Sequence, residues 1–146
     1  MSMIVRLAAA LVLVLAMGAA QAQNKAPSER ALEALVKASL LSFNDANVTG
    51  NYTVFHAKLS KPFREQFSPE RLGETFKDFR EKHIDIDVIA AFAPSYQPAP
   101  LVDAEGKLLV KGYFPTEPVR VNFQLDFIPS DGEWKLIRIN VKLDAP

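Results

Sequence analysis

Between Val119 and Leu143 the chain alternates. Val119, Val121, Phe123, Leu125 and Phe127 take every second position, with Arg120, Asn122, Gln124 and Asp126 between them. Strand side chains point to opposite faces in turn, so this pattern predicts a strand with one apolar and one polar face. Pro129-Ser130-Asp131-Gly132 follows, and Asp-Gly tolerates the positive φ of a tight hairpin turn. The return strand sets Ile137, Ile139, Val141 and Leu143 against Arg138, Asn140 and Lys142. Trp134 and Leu136 fall out of phase with that apolar row. They imply a bulge near the turn or a second apolar patch on the outer face. The patch is the expectation, because a helix or a partner can pack there. A two-stranded hairpin is marginal in water, so this apolar face needs further strands or helices to cover it. At roughly 1.5–3 kcal/mol per buried large side chain, it supplies much of the folding drive.

Upstream the period changes from two to about 3.6. Pro27-Ser28-Glu29 is a helix start, with Ser28 as cap and Glu29 in the first turn. Leu32, Leu35, Val36, Leu40 and Phe43 then predict a helix from about Glu29 to Asn44, ended by Asn44, Asp45 and Asn47. Tyr52, Phe55, His56 and Leu59 fit one face of a second, short helix. Ser60-Lys61-Pro62 breaks it, since the residue before proline leaves the α region. Phe63 and Phe67 fall in a linker or single turn. Ser68-Pro69-Glu70 starts a third helix, lined by Leu72, Phe76 and Phe79 and ending near Lys82.

Ile84, Ile86, Val88 and Ala90 alternate with Asp85, Asp87, Ile89 and Ala91, which predicts a strand. Ala93 to Pro100 is a loop. Leu101 to Ala104 is a short extension before the Glu105-Gly106 turn, and Lys107 to Phe114 is the next strand. Pro115-Thr116-Glu117-Pro118 leads stiffly into the terminal hairpin. Three N-terminal helices followed by a four-stranded meander imply an α+β domain, an antiparallel sheet with helices on one face.

The N-terminus changes the picture of the whole chain. Arg6 precedes an unbroken apolar run from Leu7 to Met17, and Ala20-Gln21-Ala22 matches the pattern cut by signal peptidase. The run is short for a membrane span. Cleavage between Ala22 and Gln23 is therefore expected, with a periplasmic or secreted product. Removing 22 of 146 residues leaves 124, one domain. Losing Arg6 leaves 16 basic against 17 acidic residues, from 17 of each in the whole chain. A neutral chain with scattered charge lacks the basic patch that nucleic acid requires. The absence of cysteine excludes disulfides, thiol catalysis and thiolate metal sites. The exported domain must stand on its core.

Phe43-Asn44, Gly50-Asn51-Tyr52, Gly112-Tyr113-Phe114-Pro115-Thr116 and the ending Gly132-Glu133-Trp134-Lys135-Leu136-Ile137 carry a resemblance. In this order they resemble the nuclear transport factor two-like superfamily, cystatin-like α+β cones that include steroid isomerases, dehydratases and many bacterial exported proteins. The resemblance spans nearly the whole mature chain. It implies helices closing over a curved four-stranded sheet, with a pocket at the wide end. Such a fold hosts enzymes, carriers, dimerisation modules and silent domains, so function must come from the site.

The pocket candidates are Tyr52, Phe55, His56, Phe79, Tyr113 and Phe123. The many aromatics either line an apolar ligand cavity or fill the interior. His56 is either a polar group at a pocket rim, able to act as general base, or a packed histidine bonded to backbone. No motif places a carboxylate beside Tyr52 or Tyr113, as isomerase chemistry in this family would require. His83, Asp85 and Asp87 would share one strand face. They are either metal ligands or, as expected, a solvated outer face. Asn47-Val48-Thr49 and Asn51-Tyr52-Thr53 match glycosylation sequons and read as turn chemistry. No cofactor motif is present. On the outer sheet face Arg120, Asn122, Gln124, Arg138 and Asn140, with Trp134 and Leu136 at one end, suit a polar interface with an aromatic anchor. The expectation is a non-catalytic exported binding or accessory domain. It would hold an apolar small molecule or an envelope protein, with a homodimer through the outer face also open. The alternative is a small pocket enzyme of isomerase or dehydratase type, with Tyr52 and His56 at the cavity mouth.

Overall fold

The computed structural model describes residues 25–144. The apolar run Leu7 to Met17, Ala22 and Gln23 lie outside the described residues. The described chain is α+β. Five α-helices come first: α1 (Glu29–Thr49), α2 (Thr53–Lys58), α3 (Lys61–Gln66), α4 (Pro69–Thr75) and α5 (Lys77–Glu81). A 3-10 helix over Asp87–Ala91 leads to β1 (Ser95–Tyr96), β2 (Leu101–Val102), β3 (Leu108–Phe114), β4 (Val121–Ser130) and β5 (Glu133–Leu143). The sheet is antiparallel. β3 carries β1 and β2 on one side and β4 on the other, and β5 closes the order as an edge strand.

The hairpin forms as the alternation requires. Val121, Phe123, Leu125 and Phe127 point inward and are buried, while Asn122, Gln124 and Asp126 point outward. Asp131 at φ 55° and Gly132 at φ 80° make the two-residue turn between Ser130 and Glu133. Positive φ at both positions matches the twist of the flanking strands.

Trp134 and Leu136 correct the expectation of an outer patch. The register runs Leu125 opposite Ile139 and Asp126 opposite Arg138, then shifts to Phe127 opposite Leu136. Ile137 is the extra residue of a bulge, which reverses the parity of β5. Leu136 therefore lies inside, 4% exposed, and Trp134 is half-buried on the same inner side.

The helical layer also departs from the sequence reading. α1 runs past Asn44 to Thr49 and ends at Gly50, whose φ of 74° and N–H bond to Ala46 O (2.8 Å) form a left-handed cap. Asn44 and Asn47 do not stop it because both are buried with their side-chain oxygens bonded outside the helix. Asn44 donates to Asp85 Oδ1 (2.7 Å) and accepts from Ile86 N (3.0 Å), and Asn47 accepts from the Tyr52 hydroxyl (2.5 Å). Of the linker and the single turn offered for Phe63, the turn is present: it belongs to the short helix α3, opened by Ser60 and Pro62. The third predicted helix starts as expected, with Ser68 Oγ accepting from Arg71 N (3.2 Å), but breaks at Phe76 into α4 and α5.

The predicted strand over Ile84 to Ala91 is not one. The Asn44 side chain takes the Ile86 N–H, and Asp85 Oδ1 accepts from Asp87 N (3.1 Å). Side chains thus occupy donors that a ladder would use, and the segment turns into the 3-10 helix with Ile86 and Ile89 buried. The ordered strand at this end is β1, inside the predicted loop.

Asn44→Ala leaves the Ile86 N–H buried without its acceptor. The expected loss is about 1–3 kcal/mol by urea unfolding, with faster hydrogen exchange at Ile86.

Candidate functional site

The six pocket candidates do not converge. Tyr52, Phe55 and Phe123 are 3%, 2% and 3% exposed and belong to the core. Phe43 is a hub: Phe55, Phe76 and Phe79 pack on it with ring centroids at 5.7, 4.9 and 5.2 Å. At the other end of the sheet Phe123 packs on Phe114 at 5.5 Å and on Tyr96 at 6.5 Å. These are edge and tilted contacts of the kind that fill a core. Tyr113 lies on the opposite, outer face, because it alternates with the inward Gly112 and Phe114.

Both polar candidates are engaged in hydrogen bonds. Burial pushes the Tyr52 phenol above its usual pKa, against the pull of Arg80, so it stays protonated at neutral pH and donates to Asn47. His56 Nε2 meets the Arg64 carbonyl at 3.3 Å, which requires a proton on that nitrogen. It is the packed, backbone-bonded histidine of the sequence reading. Arg80 caps this corner, donating to Gly73 O (2.9 Å) beside the Tyr52 ring. His83, Asp85 and Asp87 share no strand face, since the strand is absent. Among the described residues no group of three His, Asp or Glu side chains could hold a metal ion.

Two grooves open to solvent. On the outer sheet face a groove of about 340 Å³ is lined by Gln97, Lys111, Tyr113, Arg120, Asn122 and Asn140 among others. The Arg120 guanidinium lies 4.4 Å from the Tyr113 ring centroid, and its Nε donates to Asp144 Oδ2 at 2.9 Å. Asn122 donates to Asp144 Oδ1 at 2.8 Å. The Arg120 bond, then the Asn122 bond, hold the Asp144 carboxyl below its usual pKa. Asp126 moves the other way: burial raises its pKa, opposed by Arg138 across the strand pair and by Lys107. Arg120 and Arg138 are thus on the outer face as the sequence indicates. Gln97 and Asp144 were missed; Asp144 shares the parity of Lys142 and Asn140, a signal present in the alternation.

A second groove, about 280 Å³, lies between α1, the end of α2 and the hairpin end of β5, lined by Leu35, Ser39, Ser42, Leu59, Trp134 and Leu136 among others. Among the described residues no helix is long and apolar enough to cross a membrane. Comparison of the chain with protein-family models, with curated proteins and with solved structures finds no match.

Proposed function

We propose that the chain is an exported, periplasmic member of the nuclear transport factor two-like superfamily, cleaved after Ala22, that acts as a non-catalytic accessory domain and holds an envelope protein. One observation carries this reading: the aromatic side chains offered for a pocket are packed on one another, Phe43 with Phe55 and Phe79 and Phe114 with Phe123. Phe43, Phe55, Phe114, Phe123 and Phe127 are each 3% exposed or less. The polar groups expected at a cavity mouth, Tyr52 and His56, are spent on Asn47 and on the Arg64 carbonyl. A filled interior directs recognition to the surface, and the surface offers open grooves.

The test is native mass spectrometry of the protein isolated from its own envelope fraction. A bound second polypeptide and an N-terminus at Gln23 are the expected results. A co-purifying small apolar mass overturns the accessory reading and returns attention to Tyr52, His56 and Tyr113. A chain retaining Leu7 to Met17 overturns the export reading.

A further inference from the structure

β5 is eleven residues long and has β4 on one side only. Among the described residues its other side takes a single backbone bond, from Ser60 N to Leu136 O (3.0 Å). Asp144 N donates to Arg120 O (3.1 Å), continuing the register that sets Leu143 opposite Val121. Antiparallel ladders alternate, so Lys142, Asn140 and Arg138 turn their backbone groups to β4. Ile139, Val141 and Leu143 then turn their N–H and C=O groups to the open edge.

The side chains along this edge are sorted by face. On the inner side Ile137, Ile139, Val141 and Leu143 are only half-buried, whereas the matching row of β4 is buried throughout. On the outer side stand Glu133, Lys135, Arg138, Asn140 and Lys142, with Asp144 just beyond; Lys135 is paired with Asp131 (3.1 Å) and Asp144 with Arg120 (2.9 Å), which leaves Arg138 and Lys142 beside the open stretch. Lysines on an edge often serve only to block pairing. They block it selectively here, because the two charges flanking Ile139 to Val141, Arg138 and Lys142, have one sign.

A second copy is a poor occupant. Pairing β5 with itself about Asn140 would set Arg138 opposite Lys142 twice, and like charges directly opposite are destabilising. Pairing about Val141 would set Arg138 opposite Asp144, which Arg120 and Asn122 already hold.

We infer that β5 is a docking edge for an extended segment of a partner protein in which apolar residues alternate with Asp or Glu. This rests on the accessory-domain reading above and names its partner's recognition element. The added strand bonds to the backbone of Ile139, Val141 and Leu143. Its apolar side chains extend the half-buried inner row, and its acids face Arg138 and Lys142. Strand addition of this kind takes affinity from main-chain bonds and specificity from alternate side chains.

The experiment uses a capped, fluorescein-labelled ten-residue peptide of alternating valine and glutamate, titrated into the protein and followed by anisotropy and amide hydrogen exchange. Binding with new protection at Ile139, Val141 and Leu143 is expected. Lysine in place of glutamate should weaken it about tenfold or more. N-methylation of the valines should abolish binding without touching the protein. Lys142→Glu, an exposed change, should weaken the glutamate peptide and favour the lysine peptide. The inference is overturned by no binding at millimolar peptide, by binding indifferent to N-methylation, or by protection confined to the Lys111–Tyr113 groove. A concentration-dependent dimer that the peptide fails to dissociate overturns it in favour of a second copy. Each of these leaves the accessory reading standing, since that falls only to a small-molecule mass in the native spectrum.

Discussion

Phe123→Ala should lower stability by about 3–5 kcal/mol, the range for deleting a large aromatic from a packed interior. Phe123 is 3% exposed and sits mid-strand in β4, opposite Gly112 on β3 and Val141 on β5. Its ring meets Phe114 at 5.5 Å and Tyr96 at 6.5 Å, so one truncation opens two aromatic contacts. Urea unfolding checks this, with Gln124→Ala as the neighbouring control. Gln124 points outward, and a change there should stay within about 0.5 kcal/mol. A loss under ~1 kcal/mol for Phe123→Ala would mean that the inner face of the sheet has been wrongly placed.

The terminal hairpin was legible because three signals agree there. The alternation sets the faces, Asp131-Gly132 sets the turn, and the length of the apolar rows demands cover. The start of α1 was legible for the same reason, since Ser28 caps it by accepting from Ala31 N (3.2 Å). Where the reading failed, side-chain hydrogen bonds had overruled a local pattern. Asn44 and Asn47 look like helix stops, yet Asn44 bonds Asp85 and Ile86 across the fold, Asn47 takes the Tyr52 hydroxyl just past the helix, and the helix continues. Ile84 to Ala91 alternates as well as any strand, yet the Asn44 and Asp85 side chains take its backbone donors. Trp134 and Leu136 are a different case. One extra residue in a strand reverses every face beyond it, and the pattern alone supports either a bulge or an outward patch. Of the candidate site, the outward row of Arg120, Asn122, Gln124, Arg138 and Asn140 could be read from parity. Whether ten or so aromatics surround a cavity or fill one could not, because that depends on how the two ends of the chain meet.

Gly112→Ala is the smallest change with a comparably large expected effect. A Cβ at this position would lie 2.0 Å from Ser95 O, 2.9 Å from Ser95 C and 3.0 Å from Tyr96 Cα. All three atoms are backbone, so no side chain can swing aside. β1 pairs with β3 through Ser95 opposite Tyr113 and Tyr96 opposite Gly112, and Gln97 N donates to Lys111 O (2.8 Å) just beyond. The added methyl must push β1 off the sheet or bend β3 away from β4. β1 is the cheaper element to move, having two residues in its ladder. The expected cost is at or beyond the upper end of the ~1–3 kcal/mol typical of overpacking. Tyr96 should lose its place against Phe123, and the Gln97 amide should lose hydrogen-exchange protection. Gly132→Ala separates this steric effect from glycine's conformational freedom. Gly132 has φ 80° and no atom within 4 Å of an added Cβ, so only the left-handed backbone is penalised, by roughly 1–2 kcal/mol. If the two alanine variants lose equal stability and Gln97 stays protected in both, β1 does not cross Gly112 as described.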